Sequence, residues 1–388
     1  MEFQSGSHSM VEEKGPVSGR QRMRSHNATL PFDILGLIFH HVADGYPVHL
    51  RRLIFVCRSW HDAVFLHPTL WSTIRVDCTL LDIFAPNGAL SKLLVKLYIH
   101  SCLRWSGSAP LEVSVDLTPL QLNAFKISDD ALETSSYLFL LVTDLIGPDG
   151  KHAMRWRSFI WRCHRGDYAS RVFYKLPLSL PTLEILRLIG VRLDASHSGM
   201  FPHCPRLRTV EAHQWAVQPL KNEDCLLVSD LSITTEVVWL SFDLILLSHF
   251  PNIRHLTLST ALGGRALFMP DPDYPPLDEV LLPRLQCLRL RGCLPPRVVG
   301  CMVAPLLKEL ELDSYTSIEL LGDISLARTV ETVRIAIPNL DRTLVPRRVE
   351  KQLNSMPALK QLCVPKRFHD WVEKNDLHFS EDVLVVVE

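Results

Sequence analysis

Residues 30–76 read LPFDILGLIFHHVADGYPVHLRRLIFVCRSWHDAVFLHPTLWSTIRV, and the organisation of the chain follows from them. Thr29 is placed to cap a helix, and Pro31 falls in its first turn, where a missing N–H costs nothing. Ile34, Leu37, Ile38 and His41 follow at helical spacing and mark one apolar face. Asp44, Gly45 and Pro47 end that helix. A second apolar series, Leu50, Leu53, Ile54, Cys57, Trp60 and Val64, begins after them. Two or three helices in so short a stretch cannot bury this much apolar surface among themselves, so an apolar face is left for a partner.

Leu30-Pro31, Asp33-Ile34-Leu35, Ile38-Phe39, Val56-Cys57, Trp60, Ala63, Pro68 and Leu70-Trp71 stand in a recognisable order and spacing. Together they resemble the F-box. A lone Leu-Pro or Val-Cys carries no information; the ordered series does. The resemblance implies a trihelical unit that binds the Skp-type adaptor of a cullin-RING ubiquitin ligase. It implies adaptor-binding roles for Leu30, Pro31, Ile34, Leu35, Ile38, Phe39, Val56, Cys57 and Trp60. The alternative is an ordinary helical hairpin inside a larger core.

The chain has 388 residues, of which 47% are hydrophobic, enough for two or three domains with a large core. Its 41 basic and 42 acidic residues leave a formal charge of −1, so there is no overall basic field to favour nucleic acid. The 10 cysteines lack paired spacing and no apolar signal segment opens the chain, which fits reduced thiols in the cytoplasm, the nucleus or both. No membrane span is expected, because the most apolar run, Val237 to Leu247, is too short and contains Asp243; it reads as a buried helix. Residues 1–28 are polar and aperiodic and read as a disordered tail. Residues 29–76 form the F-box segment.

Residues 77–150 read as linker helices and first strands. Gly88 to Cys102 has Leu90, Leu93, Leu94 and Leu97 at helical spacing, residues 110–117 alternate as a strand, and Ser128 is placed to cap a helix reaching Gly147. From residue 151 to 388 a repeat emerges. Each copy starts at a breaker and has apolar residues two, five and seven positions on: Leu183, Leu186 and Leu188 after Pro181; Leu207, Val210 and Ala212 after Pro205; Ile253, Leu256 and Leu258 after Pro251. Leu285, Leu288 and Leu290, then Leu307, Leu310 and Leu312, then Leu359, Leu362 and Val364 repeat it after Pro283, Pro305 and Pro357. Weaker copies are Trp156, Phe159 and Trp161; Val228, Leu231 and Ile233; Val330, Val333 and Ile335.

The spacing falls in the range of leucine-rich repeats, roughly 20–29 residues, apart from an insertion around Pro270 to Pro276. This part resembles the leucine-rich repeats of F-box proteins, particularly irregular fungal ones, although the Asn of regular repeats is missing. The expected fold is α+β or α/β: a trihelical F-box, then an irregular leucine-rich-repeat-like solenoid with a parallel sheet, a more irregular α/β domain being the alternative. Helices are expected from Thr234 onward, at Pro346 to Leu353 and at Pro365 to Lys374, with a closing strand at Val383 to Val387.

If the repeat leucines point inward, the residues between them point out. That places Arg187, Glu211, His213, His255, Arg289, Arg291, Glu309, Glu311 and Arg334 on one exposed surface as target-binding candidates. Its mixed sign suits a protein target better than a phosphate backbone. The basic-aromatic stretch from Met154 to Lys175 is the best nucleic-acid candidate, but Trp156, Phe159 and Trp161 occupy inward repeat positions and read as core. No metal-ligand spacing, nucleotide-binding fingerprint or nucleophile constellation is present, so no catalytic, cofactor-binding or metal residue is assigned. The expected function is a non-catalytic substrate receptor of an SCF-type ubiquitin ligase, with a Skp-type adaptor and an unknown protein substrate as partners, no cofactor, no nucleic acid and no membrane. The alternatives are an adaptor-binding scaffold without a ubiquitination role and an enzyme with an unrecognised site among the repeats.

Overall fold

The computed structural model describes residues 30–77, 79–80, 91–117, 140–163, 176–190, 202–213, 222–235, 246–260, 279–292, 299–313, 328–336 and 346–388. Thr29, Ser128, the tail 1–28, the Pro270 to Pro276 insertion and most of Val237 to Leu247 lie outside these residues.

The first helix, α1, runs Phe32–Ala43. Pro31 is its N-cap rather than a first-turn residue, with φ −56° and ψ 149°, and the Pro31 carbonyl accepts the Leu35 N–H at 3.0 Å. Asp44 and Gly45 end the helix in left-handed backbone, at φ 45° and 76°. Leu35, Phe39 and Ala43, one helical turn apart, form its buried stripe. The second apolar series divides at Cys57: Pro47–Phe55 is a 3-10 turn and α2 spans Arg58–Leu66. A short 3-10 turn, Pro68–Trp71, follows and buries Leu70 and Trp71. Trp60 meets Phe39 edge-on at 5.1 Å, and the Trp71 indole N–H donates to the Val64 carbonyl at 2.9 Å.

This helical unit packs directly on the next helix of the chain. Phe65 of α2 lies on Trp71 at 5.8 Å and on Trp105 at 4.4 Å, and Trp105 ends α3, Ser91–Trp105. One continuous apolar core runs from Leu35 to Phe368. Residues 140–146 are helical, the described part of the helix expected to reach Gly147.

The rest is a mostly parallel sheet domain with helices. Its strands are β1 (Thr73–Val76), β2 (Leu111–Leu117), β3 (Trp156–Cys163), β4 (Ile185–Ile189), β5 (Thr209–His213), β6 (Asp230–Thr235) and β7 (His255–Thr260). They continue as β8 (Val280–Leu281), β9 (Cys287–Arg291), β10 (Met302–Val303), β11 (Glu309–Leu312), β12 (Thr332–Ile335), β13 (Gln361–Val364) and β14 (Leu384–Val387). Twelve of them form one sheet in chain order, β1 to β7, then β9, then β11 to β14, while β8 and β10 make a separate two-stranded ribbon. Every described pairing is parallel, so the chain returns to the same end of the sheet after each strand. The sheet begins at Thr73, within the segment that resembles the F-box.

The apolar repeat sets this register. Leu186, Val210, Leu231, Leu256, Leu288, Leu310, Val333 and Leu362 sit side by side across eight neighbouring strands. The weaker copies obey the same phase, since Phe159 and Trp161 pair with Leu186 and Leu188. All of these side chains are buried. Trp156 stacks on Phe159 at 4.4 Å inside the sheet domain, and Trp156, Phe159 and Trp161 are all buried, which assigns these three aromatics to the core.

Thr234 is a correction to the sequence reading: it lies in β6 and caps no helix, and its hydroxyl meets that of Ser259 on β7 at 2.7 Å. A β-branched residue fits a pleated ladder, and tertiary pairing outweighs its capping preference. The two late helices form as expected, as α5 (Pro346–Asn354) and α6 (Lys366–Lys374), after the short α4 (Asn222–Cys225). The closing strand is β14.

Gly292, just after β9, has φ 76°, and its N–H donates to the Asp313 carboxylate at 2.7 Å. A methyl group there would press on the Thr260 hydroxyl and come within 2.9 Å of the Thr260 carbonyl. Gly292→Ala is expected to lower stability by about 1–3 kcal/mol through left-handed strain and this clash. Denaturant unfolding of the two proteins checks it; equal midpoints would show that the turn relaxes freely.

Candidate functional site

Two surfaces are built by these elements. The first is the outer side of the helical unit. Helix α1 is apolar on both sides: Leu35 and Phe39 are 0% exposed, whereas Phe32, Ile34, Leu37, Ile38 and Val42 are exposed, Leu37 at 69%. Phe55, at 83%, and Val56 add apolar surface where the Pro47–Phe55 turn ends, and Leu66 does so at the end of α2. A soluble fold seldom leaves this many large apolar side chains open in one small unit without a partner to cover them.

The residues expected from sequence to bind the adaptor divide on this criterion. Pro31, Ile34, Ile38, Val56 and Cys57 are exposed, and Leu30 and Trp60 are half-buried. Leu35 and Phe39 are a correction: buried completely, they hold α1 against Trp60 and the rest of the core and offer no surface to a partner. Phe32, Leu37, Val42, Phe55 and Leu66 are exposed, and the motif residues do not include them. The spacing of Leu37 with Ile34 and Ile38 is the one signal in the sequence that points to this wider face.

Backbone and side chain fix this face together. The His67 ring lies over Gly36, where an added methyl would come within 3.1 Å of it, and His67 Nε2 donates to the Phe32 carbonyl at 2.8 Å. Cys57 is the N-cap of α2, its carbonyl accepting the His61 N–H at 3.0 Å, and its thiol is exposed. The buried cysteines are of another kind. Burial pushes the Cys102 and Cys225 thiols up to about 12 and raises those of Cys287 and Cys301, which keeps them protonated and unreactive.

The second surface is the outward side of the sheet. Alternation turns Arg289 and Arg291 out where Leu288 and Leu290 turn in, and Glu309 and Glu311 flank the buried Leu310. The opposite charges meet laterally between strands. Arg289 Nε reaches Glu311 at 2.9 Å and Arg291 reaches the same carboxylate at 3.9 Å. Arg187 pairs with Glu211 at 3.4 Å, His255 with Asp230 at 2.7 Å and Arg334 with Glu388 at 3.1 Å. His213 stands opposite Thr234 in the register, and its side chain lies outside the described residues.

Six of the nine sequence candidates therefore sit in ion pairs, His255 is hydrogen-bonded to Asp230, and their spacing explains why. Except for Arg334, whose partner Glu388 lies beyond β13, each partner is one strand away, about 4.8 Å distant and within reach of these side chains. Two of the arginines in the stretch read as a nucleic-acid candidate are likewise engaged in ion pairs: Arg157 pairs with Glu184 at 3.0 Å and Arg162 with Asp116 at 3.6 Å. Exposed pairs of this kind contribute about 0–1 kcal/mol each. Reversing Arg289 and Arg291 to Glu removes two such pairs and sets like charges beside Glu311, and is accordingly expected to cost about 1–2 kcal/mol, read as a shift of the melting temperature by a few degrees. Unfolding of the double variant would contradict the outward orientation.

Among the described residues, His369, Asp370 and Glu373 of α6 bring three ligand atoms within 4.8 Å of one another, with His369 and Glu373 paired at 3.8 Å on a solvent-facing turn. No helix among the described residues is long and apolar enough to cross a membrane.

Among curated proteins none matches the chain. Residues 28–77 match the family model described as F-box-like, a span that takes in α1, α2, both 3-10 turns and β1. The exposed apolar face thus belongs to an F-box-like domain.

Proposed function

We propose that this chain is the substrate-recognition subunit of an SCF-type cullin-RING ubiquitin ligase, its F-box-like domain docking on the Skp-type adaptor and its sheet domain holding a protein target. The observation that carries the reading is the open apolar face of α1, with Ile34, Leu37 and Ile38 outward and Leu35 and Phe39 locked beneath. Leu30, Pro31, Val56, Cys57 and Trp60 complete the adaptor-binding set. The sheet domain, with its sequential parallel strands and aligned apolar repeat, is read as an irregular leucine-rich-repeat-like solenoid of the kind in fungal F-box proteins.

In this role the chain performs no covalent chemistry and needs no cofactor. It raises the effective concentration of a target lysine near a thioester carried by a separate enzyme, so that transfer becomes quasi-intramolecular. Arg187, Glu211, His213, His255, Arg289, Arg291, Glu309, Glu311 and Arg334 are the target-facing residues. Their alternating sign favours a protein partner over nucleic acid. The working compartment is the cytoplasm, the nucleus or both.

The test is affinity capture of the full chain with quantification of adaptor and cullin together. Stoichiometric recovery of both is expected. Adaptor without cullin would reduce the role to scaffolding, and recovery of neither would refute it.

A further inference from the structure

A sheet whose strands run parallel in chain order has two edges, and here they are finished differently. At the first edge the Glu112 N–H of β2 donates to the Ser72 carbonyl at 2.9 Å, and alternation along the strand then turns the Arg75 N–H of β1 away from β2. That outward N–H donates to the Tyr98 hydroxyl of α3 at 3.4 Å. The edge is therefore covered by a helix and its exposed donor is met.

The last edge has no such cover among the described residues. β14 pairs with β13 alone. Its Leu384 N–H donates to the Lys360 carbonyl at 2.9 Å, and the Glu388 N–H donates to the Val364 carbonyl at 3.0 Å. The same alternation leaves the N–H and C=O groups of Val385 and Val387 in the plane of the sheet, directed away from β13. The strand reads LVVV, with no proline, no charge and no register shift against β13, so it lacks the devices that usually blunt an edge. Leu384 is 64% and Val387 46% exposed.

We propose that the outer edge of β14 accepts an extended peptide strand from a partner protein, with a β-branched centre and basic residues at its ends. The backbone groups of Val385 and Val387 supply the ladder, as in other cases of strand addition. The charge requirement follows from the flank: Glu381 and Asp382 lie exposed before the strand, whereas Glu388 after it is already held by Arg334 at 3.1 Å, and basic residues at both peptide ends meet this acidic flank in either strand direction. A second copy fits poorly. Two-fold pairing of β14 with itself is antiparallel and brings Glu381 and Asp382 of one chain beside Glu388 of the other, and a four-residue edge falls far short of the roughly 1,200 Å² of a stable interface.

The probe is a labelled, end-blocked Lys-Val-Thr-Val-Thr-Val-Lys peptide titrated against the full chain by fluorescence anisotropy, beside the same peptide with Glu ends. Saturable binding of the Lys-ended peptide is expected, at least tenfold tighter than the Glu-ended one. Val385→Pro with Val387→Pro removes the outward N–H groups and is expected to abolish binding, with a melting curve as control because Val385 also packs against the core. Should that variant unfold, Glu381→Lys with Asp382→Lys decides, and it is expected to reverse the preference between the two peptides. The proposal is overturned by absent binding, by equal binding of the two peptides, or by binding that survives these variants unaltered. It is also overturned by a concentration-dependent dimer of the natural chain, which would assign the edge to a second copy.

Discussion

Ile34→Asp combined with Ile38→Asp is expected to remove adaptor binding while leaving the fold intact. Ile34 is 39% and Ile38 40% exposed on α1, so a carboxylate at either position reaches water in the free chain. In the complex the same carboxylates would be buried against an apolar partner without a counter-charge, which is costly. Substitutions at such anchors weaken association by about 2–4 kcal/mol each, roughly 30-fold to nearly 1000-fold. A titration with purified adaptor reads this directly, with a melting curve as control. Undiminished binding by a folded double variant would move the contact surface off α1. Point variants are the cleaner tool, because removing the whole F-box-like domain would strip β1 from the sheet and uncover Trp105, against which Phe65 packs.

Trp161→Ala is expected to have the largest effect on stability. The indole is 1% exposed, sits 6.1 Å from the Phe159 ring, and occupies the inward repeat position that Leu188 fills on the next strand. Truncating a buried Trp costs about 3–5 kcal/mol in lost burial and cavity formation. That is a large part of the roughly 5–15 kcal/mol by which domains are stable, and it corresponds to a fall in melting temperature on the order of 10 °C. Arg162→Ala, one residue on, removes only an exposed pair with Asp116 and is expected to cost about 0–1 kcal/mol. Similar effects of the two substitutions would contradict the alternation along β3.

The contrast between these neighbours shows what is legible in the sequence. The repeat can be read because its apolar positions recur in phase, and phase alone fixes which side chains enter the core and which strands lie together. The lateral ion pairs emerge only once the register is known: Arg289 and Glu311 are far apart in the chain and meet because their strands are adjacent.

The F-box pattern locates the helical unit but does not sort its two faces. Leu35 and Phe39 are no more apolar than Ile34 and Leu37, and which pair is buried depends on the direction from which Trp60 packs. The strands β8 and β10, two residues each, are too short for any alternation to register. Thr234 misleads because a hydroxyl residue ahead of an apolar run suits both a helix cap and an exposed ladder position.

Hydrogen–deuterium exchange of the full chain, alone and with a purified Skp-type adaptor, tests the central claim most directly. The account predicts slowed exchange confined to residues 30–43 and 53–66, with the strands from β4 to β13 unchanged. Protection centred on those strands, or no protection anywhere at saturating adaptor, would contradict it.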